Sequence, residues 1–104
     1  MFKQFDVFRH PNGGRGEHPF LVCLQSDIAH VANTVVIAPL VPAGGMSALS
    51  SRVFPLVLLD EGSFRVLIPQ LAAVPRGVLK SYVCNVSRER ASLLAALDLL
   101  FTGI

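Results

Sequence analysis

The sequence predicts a mainly β fold closed by one C-terminal α-helix, and three observations carry that reading. Short runs rich in Val, Ile, Phe and Leu recur between clusters of Gly and Pro, as strands do between turns. Asp60-Glu61-Gly62 separates two apolar runs in the manner of a hairpin turn. The segment 88–101 contains neither Gly nor Pro and consists largely of Leu, Ala and other good helix formers. At 104 residues, with no internal repeat and no linker composition, residues 1–104 are expected to form a single domain.

Residues 3–9 set Phe5, Val7 and Phe8 among Lys3, Asp6 and Arg9, and read as a first strand. His10-Pro11-Asn12-Gly13-Gly14-Arg15-Gly16 ends it, because proline removes a backbone donor and the glycines permit positive φ. Phe20 to Leu24 is the second strand of the resulting hairpin. Thr34 to Ala38 is nearly continuous and β-branched, so a central strand buried on both faces is expected. Pro39 and Pro42 limit it, and Ala43-Gly44-Gly45 opens a loop. Val53 to Leu59 and Ser63 to Ile68 flank the Asp-Glu-Gly turn. Residues 70–74, between Pro69 and Pro75, form a short strand or a single turn, and Val78 to Val83 is a further weak strand. Ser87 is the expected N-cap of the helix and Gly103 its stop. Leu93, Leu97 and Leu100 make one stripe, while Leu94 and Phe101 widen the apolar surface, so that one face can pack on the sheet and another needs a partner.

Composition narrows the class. The chain is 52% hydrophobic and only 15% charged, too apolar for disorder and more apolar than a domain this small can bury alone. A homodimer is the expected outlet, with Leu93, Leu97 and Leu100 at the interface. Net charge is +2, with nine basic and seven acidic side chains spread along the chain rather than gathered into a nucleic-acid-binding stripe. Met1 to Asp6 lacks the apolar run of a signal peptide, and no stretch is long enough to span a bilayer, so a cytoplasmic location is expected. Cys23 and Cys84 have apolar neighbours and no metal-ligand spacing. They read as buried hydrophobes rather than as a disulfide, and neither metal nor cofactor is expected.

Catalytic chemistry finds little to work with. His10, His18 and His30 all lie in the first third, in or beside loops. Arg9, Arg15 and His10 could be assembled around a scissile phosphate, but no spacing requires it. Gly13-Gly14-Arg15-Gly16 lacks the Lys and Ser/Thr of a P-loop and joins two antiparallel strands, so it reads as a hairpin loop able to serve as a contact surface. Gln25-Ser26-Asp27-Ile28 either supplies turn chemistry to local backbone or presents Ile28 beside the C-terminal helix; both readings stand. A protein that grips a macromolecular partner, and not an enzyme, fits this inventory best.

Phe5-Asp6-Val7-Phe8-Arg9, Val22-Cys23-Leu24-Gln25-Ser26-Asp27-Ile28, Leu71-Ala72-Ala73-Val74-Pro75 and the closing Leu97-Asp98-Leu99-Leu100-Phe101-Thr102-Gly103-Ile104 occur in an order that resembles the CcdB family of toxin–antitoxin toxins. Ile37-Ala38-Pro39-Leu40 and Phe54-Pro55 agree with it, and the resemblance covers nearly the whole chain. It implies an SH3-like antiparallel barrel with a small additional sheet and a C-terminal helix. It also implies a homodimer that regulates its own transcription, a CcdA-like antitoxin, and the A subunit of DNA gyrase or a related type II topoisomerase as a target, trapped as its cleaved complex.

Carried over residue by residue, the resemblance puts Ile28, Asp98, Phe101, Thr102, Gly103 and Ile104 on the gyrase-facing surface. Asp98 stands where the family's plasmid toxin has Asn, and Thr102 where it has a Trp that stacks on an Arg of gyrase. The antitoxin is expected against the 10–16 and 43–47 loops and the tail, touching Arg9, Arg15, Gly45, Arg52 and Thr102, with the arginines meeting its carboxylates. The same barrel also serves the MazF/Kid endoribonucleases, and a non-toxic relative that binds only antitoxin is a further alternative; an RNA-cleavage assay separates the ribonuclease from the rest.

Overall fold

The computed structural model describes residues 3–11, 19–27, 33–45 and 51–103. Its strands are β1 (Asp6–Arg9), β2 (Phe20–Cys23), β3 (Thr34–Pro42), β4 (Leu56–Leu59), β5 (Gly62–Val66), β6 (Ala72–Pro75) and β7 (Tyr82–Asn85), followed by helix α1 (Arg90–Thr102). They form one antiparallel sheet in the order β4-β5-β3-β2-β1-β7, with β6 also paired to β3. Leu58, Leu59 and Asp60 at one end of that order and Val83, Cys84 and Asn85 at the other line a common cleft. The sheet is therefore curled into a half-barrel whose two end strands face each other, and the mainly β expectation holds.

The central strand is longer than the prolines suggest. β3 runs through Pro39 to Pro42, pairing with β2 along one edge, and with β6 at Thr34 to Ile37 and β5 at Leu40 to Pro42 along the other. Leu24 donates its N–H to the Val36 carbonyl, which aims the backbone groups of even-numbered β3 residues at β2 and those of odd-numbered ones away from it. Pro39 thus directs its missing donor to the place where β3 passes from β6 to β5, while its carbonyl accepts from Leu67 N–H at 2.9 Å. The carbonyl opposite that missing donor, Leu67 O, accepts from Gln70 N–H at 2.9 Å instead, so no acceptor is left unpaired and the proline does not end the strand.

Both faces of β3 are covered. Ala38 and Leu40 join Phe5, Val7, Phe20, Val22, Val57, Phe64, Val66 and Ile68 under Leu93 and Ala96 of α1. Val35 and Ile37 point the other way, into a smaller cluster of Phe8, Leu21, Cys23 and Leu79. The alternation also decides the fate of the cysteines. Cys84 is paired with Val7, and Val7 with Val22, so Cys84 faces the larger cluster; Cys23, the next residue after Val22, must face the smaller one. The two thiols lie on opposite faces of the sheet and both are free.

Several boundaries differ from the sequence expectation, among them β4, which begins at Leu56 rather than Val53, and β5, which ends at Val66 rather than Ile68. β1 starts at Asp6, because Lys3 to Asp6 form a turn in which Lys3 N–H reaches Asp6 Oδ2 at 2.8 Å and Asp6 N–H reaches Lys3 O at 3.1 Å. The last strand lies at Tyr82–Asn85, since Arg76–Val78 is a 3-10 turn. Ser87 is not the N-cap of α1. It opens a 3-10 turn over Ser87–Glu89, and its N–H donates to Asn85 Oδ1 at 2.8 Å, while Glu89, at the N-cap position of α1, makes no side-chain capping bond. The Asn85 amide already donates to Asp6 Oδ1 and Gln4 O, so its oxygen is held in place for that bond.

The helix also corrects an interface assignment. Leu93 has no exposed surface and sits in the chain's own core, so it is unavailable to a second subunit. Leu97 packs partly buried on the same cluster, and only Leu100, beyond the sheet's cover, reaches 38% exposure. The outward face carries Ala91, Ala95, Asp98 and Thr102, which are small or polar rather than a second apolar stripe. Leu93→Ala should therefore lower unfolding stability by about 2–5 kcal/mol, as cavity-forming core substitutions do, measurable as a lower urea midpoint with unchanged slope.

Candidate functional site

The final turn of α1 ends abruptly. Gly103 adopts φ 79°, in the left-handed region that an L side chain disfavours, and its N–H returns to Leu99 O at 3.0 Å. Thr102 Oγ1 donates to Asp98 O at 2.6 Å, so its hydroxyl is turned back on the helix and its methyl is left for any contact. Phe101 is the most exposed large apolar side chain among the described residues, at 70%, beside the partly exposed Leu100. Asp98 and Thr102 are exposed one turn apart. The arrangement is an apolar knob with a polar flank, suited to inserting into a partner's pocket.

The structure brings together four of the expected gyrase-facing residues: Asp98, Phe101, Thr102 and Gly103 share this helix end. Ile28 and Ile104 lie outside the described residues, as do Arg15, His18 and His30.

The expected antitoxin contacts fall in separate places. Arg9 closes β1, and its Nη2 donates to Glu61 Oε2 in the β4–β5 turn at 3.1 Å while its guanidinium lies 5.5 Å from the Phe20 ring centre. Both members of this ion pair are well exposed, so an incoming carboxylate would compete with Glu61 for a modest interaction. Gly45 ends a 3-10 turn over Ala43–Gly45. Arg52 borders a groove of about 280 Å³ shared with Ser51 and with Ser92, Ala95 and Leu99 of α1, which places it beside the helix that ends in Thr102.

A polar corner escapes single-residue reading. Gln4 N–H donates to Asp27 Oδ1 at 2.6 Å, Gln25 Oε1 accepts from Val36 N–H at 3.3 Å, and Arg90 Nη1 donates to Gln4 Oε1 at 3.0 Å. Gln25 and Asp27 are thus tied to distant backbone, which local turn chemistry does not describe. The signal available in the sequence was only their polarity directly after an apolar strand. The thiols offer no reactive group: burial pushes both Cys23 and Cys84 above the usual thiol range, which disfavours the nucleophilic thiolate.

The sequence model of the family described as CcdB protein matches residues 4–103. The chain belongs to the CcdB family. Membership points to a toxin of a toxin–antitoxin system, with partners of that general kind, and the half-barrel with its C-terminal helix agrees with it. No helix of the described residues is long and apolar enough to cross a membrane.

In this CcdB-family chain Asp98 sits in the last turns of α1, where free carbonyls make the helix end negative and the last turn carries no basic residue. Asp98→Asn should raise the unfolding free energy by about 0.3–1 kcal/mol at low salt, with the gain shrinking as salt is added. Thermal unfolding of the two proteins across a salt series checks it.

Proposed function

We propose that this chain is the toxin of a type II toxin–antitoxin pair that acts by binding and not by catalysis. In this reading Phe101, Thr102, Gly103 and Asp98, with Ile28 and Ile104, engage the A subunit of DNA gyrase or a related type II topoisomerase in the cytoplasm and trap its cleaved complex. A CcdA-like antitoxin, folding as it binds against Arg9, Arg15, Gly45, Arg52 and Thr102, releases the target. The observation that carries the reading is the 70% exposed Phe101 held at a glycine-stopped helix end in a member of the CcdB family.

Thr102 sets the expected strength. A Trp there would add a large rigid face and a cation–π contact of ~0.5–2 kcal/mol to a guanidinium, and Thr supplies neither. Wild-type protein is expected to stabilise the gyrase cleavage complex only at high concentration, Phe101→Ala to abolish the effect and Thr102→Trp to strengthen it. No cleaved complex with any of the three, on gyrase from several sources, counts against a topoisomerase target.

The same reading makes the protein a homodimer, with Leu97 and Leu100 left as the interface leucines once Leu93 is assigned to the core. Sedimentation at micromolar concentration should give a dimer mass, and Leu100→Glu should return a folded monomer; a wild-type monomer overturns this part.

A further inference from the structure

Asp98 stands where a helix least favours a carboxylate. It lies in the last turns of α1, at the negative end of the helix, and the last turn carries no basic residue. Other carboxylates are met by the chain itself. Asp6 accepts from Lys3 N–H and the Asn85 amide, Asp27 from Gln4 N–H, and Glu61 and Glu89 pair with Arg9 and Arg88. Among the described residues the Asp98 carboxylate has no such partner, Arg52 beside Ala95 and Leu99 included. Asp60 shares that condition, but it sits in the turn of the β4–β5 hairpin, where no helix end opposes its charge.

The neighbours of that charge are specific. Phe101 and Thr102 follow it at the helical spacings that put side chains side by side, and all three are exposed. Phe101 is the apolar knob, and Thr102 Oγ1 is taken up by Asp98 O. The polar side-chain group left on this flank is therefore the carboxylate, reinforced by the helix's own negative end. Its place is explained by what it meets in a complex and not by what it does for the fold. Resting on the reading of this chain as a toxin that binds a topoisomerase, we infer that Asp98 selects the target by charge: the pocket that receives Phe101 carries an arginine or lysine at its rim, and Asp98 pairs with it. An enzyme that holds DNA presents such cations, because it has phosphates to neutralise. An exposed pair would contribute little, but beside an aromatic ring buried in the complex the pair is shielded from water, and close interfacial charges then couple strongly. The same flank repels a pocket with an acidic rim, so it excludes as well as attracts.

The test titrates the gyrase A subunit with wild type, Asp98→Asn, Asp98→Glu, Asp98→Lys and Phe101→Ala at about 50 mM and about 300 mM salt. At the lower salt Asp98→Asn should bind about tenfold more weakly than wild type and Asp98→Lys about a hundredfold or more, while Asp98→Glu, which keeps the charge, retains most of the affinity. The gap between wild type and Asp98→Asn should narrow at the higher salt, as a charge interaction requires. Asp98→Asn is expected to be the more stable protein, so its weaker binding is not a folding defect. Equal or tighter binding by Asp98→Asn overturns the inference, and if Phe101→Ala is still impaired the topoisomerase reading stands without it. No binding by wild type, on A subunits from several sources, overturns the topoisomerase reading and this inference together.

Discussion

The structure depends on one strand whose two edges and two faces are all occupied. β3 is bonded to β2 along one side and to β6 and then β5 along the other, and its side chains alternate between two apolar clusters. A strand in that position has no tolerance for slippage, because a shift of one residue would exchange its two sets of buried side chains between the faces. Pro39 fits this scheme because Leu67 O, the acceptor opposite its missing donor, is taken by Gln70 N–H. The same junction lets the sheet turn away from flatness, with β5 and β6 diverging from a common neighbour, and the curl brings β4 round towards β7.

The helix is fixed to this frame from its first turn. Phe5 adopts φ 71°, a conformation that an aromatic residue takes only when its surroundings impose it. Here the Phe5 N–H is bonded to Cys23 O and its carbonyl to Val86 N–H, so the residue stitches β2 to the entry of α1. Arg90, the first residue of α1, lies over the Phe5 ring and bonds Gln4, and Asn85 sets the preceding turn. With Leu93 and Ala96 then locked in the core, the direction of α1 follows, and the helix end at Phe101 projects beyond the sheet. The candidate binding surface is in this sense an outcome of a polar corner at the other end of the same helix.

The sequence by itself determined the elements whose physics is local. Short apolar runs marked β1 and β2, a nearly continuous β-branched run marked β3, Asp60-Glu61-Gly62 marked the hairpin, and the unbroken segment before Gly103 marked α1 and its stop. Each of these follows from side-chain period, turn chemistry or glycine's access to positive φ, which neighbouring residues alone decide. The exposed Phe101 was legible as a candidate because it belonged to a motif rather than because its burial could be computed.

What only the tertiary structure decided were the properties that depend on who stands opposite. Whether Pro39 ends a strand depends on which donor takes the Leu67 carbonyl opposite it, and whether Leu93 is interface or core depends on the curl of the sheet beneath it. Ser87 opens a 3-10 turn instead of capping α1, and the Asn85 amide that accepts its N–H is held in place by Asp6 and Gln4, about eighty positions earlier. Gln25 and Asp27 likewise bond backbone that no local pattern connects to them. A hydrogen-bonding side chain takes whichever unsatisfied backbone group folding brings within reach, and that distance is set by the whole sheet rather than by position along the chain.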